Sequence, residues 1–140
     1  MDFSDCSEHA LQYALAFAQA HGAALELIHV VQPIYAPGTD GLIVDVMSKM
    51  TETGTARLKE TAERLRQKHS PVSQHLVTGV PFVEIVKRAR EQDVDLIVMG
   101  THGRSGVSHM LIGSCAERVV RKAPCPVLTV RHPAHDFVMP

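Results

Sequence analysis

The chain contains no tryptophan, and its aromatic residues make up only 4% of 140 positions. Its core must therefore be assembled from Val, Ile, Leu and Ala, a mix that suits a parallel sheet covered by helices. It also lacks a surplus of either charge, since 14 basic residues stand against 15 acidic ones. No whole-protein field then draws in nucleic acid or an acidic membrane surface, and any anion site must be local. No apolar run approaches the length of a membrane span and no secretory pattern opens the chain, so the expectation is a soluble protein with no membrane partner. Cysteine is scarce: Cys6, Cys115 and Cys125 are odd in number, which argues for reduced thiols in a cytoplasm rather than a disulfide framework. The length bounds the rest, and a single domain over residues 1–140, large enough to enclose a core, is expected.

What is present alternates between helical and strand periods. From Ser7, the apolar positions Leu11, Ala14, Leu15 and Ala18 recur at helical spacing, and Gly22 is a stop signal. "LELIHVV", Leu25 to Val31, reads as a buried strand closed by Pro33. The segment from Pro33 to Asp40 reads as a loop, and Leu58, Ala62 and Leu65 then give a helical seam ending near His69 and Pro71. "VSQHLV", Val72 to Val77, alternates as a half-exposed edge strand does. Pro81 sits at a favourable first helical position, with Phe82, Ile85, Val86 and Ala89 on one face. "DLIVMG", Asp95 to Gly100, is the most apolar run and is expected as a central strand. Ala116, Val119, Val120 and Ala123 mark a last helix, and "PVLTV", Pro126 to Val130, a last strand. The order α β α β α β α β implies an α/β fold, an open, doubly wound parallel sheet between two helical layers.

In such sheets ligands bind where the carboxyl ends of strands meet the amino ends of helices, whose free N–H groups and dipoles favour anions. The glycine-rich loop "GTHGRSGVSHMLIGS" occupies that position, leaving a strand at Gly100 and entering a helix at Gly113-Ser114. Gly100 and Gly103 allow positive φ and close approach to a ligand, while Gly113 removes a side chain that would block a phosphate. Arg104 and His102 add positive or donor character, and Ser114 adds a hydroxyl. The loop chemistry fits an anion, a polyphosphate best of all, although a plain glycine-rich connection would need the same turns. There is no G-x-x-x-x-G-K-[ST] and no G-x-G-x-x-G after the first strand, which disfavours Walker-type NTPases and dinucleotide oxidoreductases.

The spacing of Gly100, Gly103 and Gly113-Ser114 resembles the ATP-binding signature of the universal stress protein family. Further resemblance lies in "DFSDCSEHAL", "LIHVV", "DLIVMGTHGRSG" and "GSCAERVVRKAPCPVLTVR", so that nearly the whole chain is covered. The resemblance implies a three-layer, adenine nucleotide alpha hydrolase-like (Rossmann-like) fold with strand order 3-2-1-4-5. It places Asp2 near the adenosine, Val30 on the adenine and Met99 with Gly100 beside the nucleoside, and assigns Gly103, Gly113, Ser114 and Cys115 to the phosphates. It further implies ATP as ligand, often with a divalent metal such as Mg2+ or Mn2+ on the phosphates, and a homodimer through the last strand, Pro126 to Val130. Such proteins act as nucleotide-responsive regulators in stress survival.

One departure is large. The family's chain opens with a central strand of the type "ILVPxD", whereas here Met1 stands directly before Asp2, so about six residues of strand are missing. The expectation is a fragment or a mis-started version of a longer protein, or another segment in the slot. "DFVMP", Asp136 to Pro140, is the spare β-like piece, for which a frayed terminus is the plainer reading. His102 and His109 have no carboxylate or cysteine at ligand spacing and read as phosphate donors or solvated residues rather than metal ligands. Cys115 near a helix start is either a reactive thiol or simply small and packed, and His29 reads as a satisfied core histidine. Two functions remain: an ATP-binding regulator with slow or no hydrolysis, and a slow ATPase or nucleotide-transferring enzyme using the same cleft. No carboxylate in the loop orients an imidazole as a base, which favours binding.

Overall fold

A computed structural model describes residues 1–34, 40–102 and 112–131, with side chains of the second helix from residue 44 onward. Helix α1 (Asp5–His21) begins where the Ser4 hydroxyl accepts the Ser7 N–H, a side-chain cap on an otherwise unpaired donor. It ends at Gly22, whose φ of 62° suits a residue without Cβ and whose N–H returns to the Ala18 carbonyl. Strand β1 (Leu25–Val31) follows, then α2 (Asp40–Arg66), β2 (Val72–Thr78), α3 (Pro81–Glu91), β3 (Ile97–Gly100), α4 (Ser114–Lys122) and β4 (Val127–Val130).

The expected alternation of helix and strand is present throughout, with three differences. Helix α2 starts about five turns before the Leu58 seam, because its hydroxyl residues are absorbed by the helix itself: Thr51 and Thr55 donate to the carbonyls of Met47 and Thr51. Its Gly54 lies against the His29 ring, where a Cβ would stand 2.8 Å from the ring carbon. Strand β3 begins at Ile97 rather than Asp95, and it is half-buried along its whole length instead of enclosed as a central strand. The reason lies in the pairing. β1 pairs with β2 and β3 with β4, both parallel, but no ladder joins β1 to β3.

These hydrogen bonds establish two neighbour pairs, β1–β2 and β3–β4, and not the full order across them. Helix α2 packs on the first pair, whereas α1 lies chiefly against β3, with lesser contact to β4 and β1; α3 and α4 pack against each other. Among the described residues, one buried apolar cluster joins Leu11 and Ala18 of α1, Leu25 and Leu27 of β1, Leu58, Ala62 and Leu65 of α2, and Val72 of β2. Between β1 and β3 lies a cavity of about 340 Å³, lined along the full length of β3 and by Leu25 through Ile28 and Val30 of β1. Met1 enters this space, and its backbone nitrogen donates to the Ile28 carbonyl. The tail that contains Asp136 to Pro140 lies outside the described residues.

Candidate functional site

The upper end of the cavity is built by two short turns. In the first, burial alone would raise the Asp2 carboxyl pKa, but the Ser4 hydroxyl and N–H, at 2.7 and 3.0 Å, hold it below the ordinary carboxylate value. That side-chain turn carries Phe3 at φ 63° and delivers the chain into α1. Phe3 packs on His29, with ring centroids 4.8 Å apart, and Arg57 lies 4.4 Å above its face. His29 is buried and its Nδ1 lies 2.6 Å from the Met1 carbonyl, in keeping with a satisfied core histidine.

The second turn closes the glycine-rich loop. Thr101 receives the β4 ladder through its N–H, 2.9 Å from the Val130 carbonyl, and its own carbonyl accepts the Gly113 N–H at 2.7 Å. Gly113 is the N-cap of α4, and the first intrahelical bond of that helix runs from Glu117 N–H to the Gly113 carbonyl. The amides of Ser114, Cys115 and Ala116 precede that bond and form the free, positively polarised end of the helix. All three residues line the cavity.

Asp2, Val30, Met99, Gly100, His102, Gly113, Ser114 and Cys115 therefore come together from four segments of the chain around one space. Gly103, Arg104 and His109 lie outside the described residues. The two described glycines have packing reasons that sequence reasoning missed. A Cβ on Gly100 would stand 2.7 Å from Cys6 Sγ and 3.1 Å from the Cys6 backbone, so this position lets α1 approach the strand end. Gly100 does not use positive φ; among the described glycines only Gly22 does. A Cβ on Gly113 would lie 3.0 Å from the Thr101 carbonyl and press on the turn that holds α4 in place.

Other expectations change as well. Ser114 is the first helical residue, and its N-cap, Gly113, brings no side-chain cap bond. Cys115 is not an activated thiol: burial pushes its pKa up, against the lowering influence of Arg118. His102 is held locally, its Nδ1 3.0 Å from the Thr101 hydroxyl. Among the described residues no group of three or more His, Cys, Asp or Glu side chains is gathered as a metal cluster requires. Thr101 was not singled out from the sequence, although it is buried and bonds both to β4 and to the far end of the loop. Its place between Gly100 and His102 looks like any polar turn residue.

Comparison with known proteins bears on the whole of this arrangement. The family model described as the universal stress protein family matches residues 1–131. Universal stress protein MJ0531 of Methanocaldococcus jannaschii is 35% identical over 137 residues, covering 96% of this chain and 81% of its own. The solved structure of MJ0577, a universal stress protein of the same organism, superposes with a TM-score of 0.89 at 30% identity, covering 96% of this chain and 94% of that one. A universal stress protein from Archaeoglobus fulgidus, solved in complex with dAMP, superposes with a TM-score of 0.63 at 25% identity, with 93% and 91% covered. The order of elements, the two parallel strand pairs and the family match over nearly every residue agree: this chain belongs to the universal stress protein family.

Proposed function

We propose that the chain binds ATP at the upper end of the cavity and works as a nucleotide-responsive regulator in the stress response. The observation that carries this reading is the convergence of three free α4 amides, from Ser114 to Ala116, on the carboxyl ends of β1 and β3. The triphosphate would lie against those amides, with the adenosine toward Val30 and Met99 and its ribose near Asp2. Gly103, Arg104 and His102 would complete the phosphate side. A relative crystallised with dAMP supports an adenine nucleotide as the ligand class. A Mg2+ or Mn2+ ion would take its oxygens mainly from the phosphates, since the described side chains gather no cluster of their own.

Hydrolysis would be slow or absent. At the α4 end the His102 Nδ1 lies 3.0 Å from the Thr101 hydroxyl, and Asp2 accepts the Ser4 hydroxyl, so both side chains are already engaged in local bonds. The protein would act in the cytoplasm as one domain over residues 1–140. It would form a homodimer through Pro126 to Val130, where β4 pairs with β3 on one side and carries Val127, Leu128 and Val130.

The decisive experiment identifies the small molecule released when the purified protein is denatured, followed by calorimetric titration of ATP into nucleotide-free protein. Stoichiometric adenine nucleotide and one site per chain are the expected result. A protein that carries no nucleotide and gives no heat with ATP removes the assignment. A steady-state turnover near 10 per second, roughly the middle of the enzyme range, would replace the regulator with an ATPase.

A further inference from the structure

From His9 to Leu25 the chain holds no Asp, Glu, Lys or Arg, whereas α2, α3 and α4 each expose several charged side chains. That uncharged stretch covers most of α1, and it exposes Tyr13, at 45%, and Phe17, at 41%. Each ring has a histidine one turn away: His9 stands edge-on to Tyr13 at 5.3 Å, and His21 stacks on Phe17 at 6.3 Å. At 3.6 residues per turn, Tyr13 and Phe17 both fall within about 20° of the line that Cys6 draws along the helix. Cys6 fixes where that line points, because its Sγ lies 3.4 Å from the Val130 carbonyl of β4. The opposite flank belongs to α2: Glu8 is paired with Arg64 at 2.9 Å, and Leu15 packs on the apolar cluster that contains Leu58. The ring-bearing flank therefore looks away from α2 toward the β4 side of the sheet, where the described residues place no further strand.

We propose that this flank of α1 docks on the same flank of a second copy: in a dimer joined through β4, the reading on which this inference rests, the two α1 helices meet over the paired β4 strands. A two-fold axis normal to the sheet at the β4 edge keeps both α1 helices in one layer and makes them antiparallel. Because α1 lies chiefly against β3, the two helices then stand about three strand spacings apart, roughly 14 Å. Directly packed helices stand about 8–10 Å apart, so small side chains would leave a gap of about 5 Å. Tyr13 and Phe17 from each copy are large enough to fill it. The area points the same way. A stable interface covers about 800 Å² per partner, and a four-residue strand, about 13 Å long, supplies only a fraction of that. The 17 residues of α1 add a flank about 25 Å long. Its lack of charge selects the occupant: the flank faces its own copy without like-charge repulsion, and a strongly acidic or basic partner finds no complement there.

The chain has no tryptophan, so Phe17→Trp places a single indole in the flank. Its emission should move to shorter wavelength, and its quenching by acrylamide should weaken, as protein concentration rises through the association. In sedimentation, Phe17→Lys should raise the dimer dissociation constant at least about tenfold, as loss of a buried aromatic anchor does. Gln12→Lys, at an exposed position on the outward face of α1, should leave it unchanged. A parent that stays monomeric removes the dimer and this contact together. A dimer broken by Leu128→Lys but indifferent to Phe17→Lys, with indole emission unaltered by dilution, removes the helix contact and leaves the β4 reading standing. Emission at short wavelength at every concentration also overturns the proposal, since the flank is then covered from within one chain. Should Phe17→Lys fail to fold, the emission of Phe17→Trp, a conservative replacement at an exposed position, decides.

Discussion

The two strand pairs of this protein are built to different standards. In the first, Leu25, Leu27, His29 and Val31 of β1 are all buried, and α2 closes over them with Leu58 at 2% exposure and Ala62 at 0%. In the second, Ile97 to Gly100 are half-buried without alternation, and enclosure comes from fewer side chains, Val119 of α4 foremost. The apolar cluster that runs through α1, β1, α2 and β2 includes no residue of β3, α4 or β4. The free helix amides, both close-packed glycines of the loop and Thr101 are in the second pair or at its margin. Stability and recognition are thus carried by different halves, joined by α1 and by the turn at Asp2. Substitutions should separate the two.

The largest effect belongs to the first half. Leu58→Ala should lower unfolding free energy by about 2–5 kcal/mol through lost burial and the void left behind. Denaturant melts would check this, and ATP affinity at low temperature should be unchanged in the fraction still folded. A binding defect as large as the stability defect would break the division. In the second half the reverse holds. Gly113→Val should weaken ATP binding at least a hundredfold, about 2.7 kcal/mol, because its Cβ meets the Thr101 carbonyl and shifts the start of α4. Its melting midpoint should move less than that of Leu58→Ala, as calorimetry and thermal melts on one sample would show.

Leu128→Lys tests whether the second half also carries assembly. Two ammonium groups brought together at a two-fold axis should raise the dimer dissociation constant at least tenfold, about 1.4 kcal/mol, readable by light scattering. A monomeric parent, or a dimer indifferent to the charge, removes β4 from the interface. The smallest effect concerns the turn that joins the halves. The Asp2 pKa is lowered in the folded state, so its contribution to stability is present above the ordinary carboxylate pKa and lost as pH falls through the lowered value. Asp2→Asn should therefore be slightly less stable than the parent at neutral pH and indistinguishable from it once the parent carboxyl is protonated. Melting curves from neutral pH to strongly acidic conditions would show parallel traces instead if the Ser4 bonds contribute nothing.

How much of this was readable from the residues follows the same division. "LELIHVV" between Gly22 and Pro33 identified β1 to the residue, because a short apolar run between two breakers has few alternatives. Pro81 marked the first residue of α3, and the seam through Leu58, Ala62 and Leu65 found the buried face of α2. The first turns of α2 were missed because Thr51, Gly54 and Thr55 argue locally against a helix, and only the back-bonded hydroxyls and the His29 ring compensate. At the site, the spacing of Gly100 and Gly113 located the strand end and the helix start. It did not give the reason for either glycine, since Cys6 and the Thr101 carbonyl are brought there by folding. The half-exposed state of β3 was equally hidden, because an apolar run announces a buried strand whether or not a neighbour pairs with each of its edges.

The bond between the Gly113 N–H and the Thr101 carbonyl has a consequence for how such a protein can diversify. It forms a closed neck through which the chain leaves β3 and re-enters at α4, so the closure is made by residues that the intervening loop does not supply. Past such a neck, doubling the number of loop residues costs only about 0.6 kcal/mol in closure entropy. Length and composition between the two ends can therefore drift freely, and ligand preference with them, while the register of the sheet and the aim of the helix stay where Thr101 and Gly113 put them.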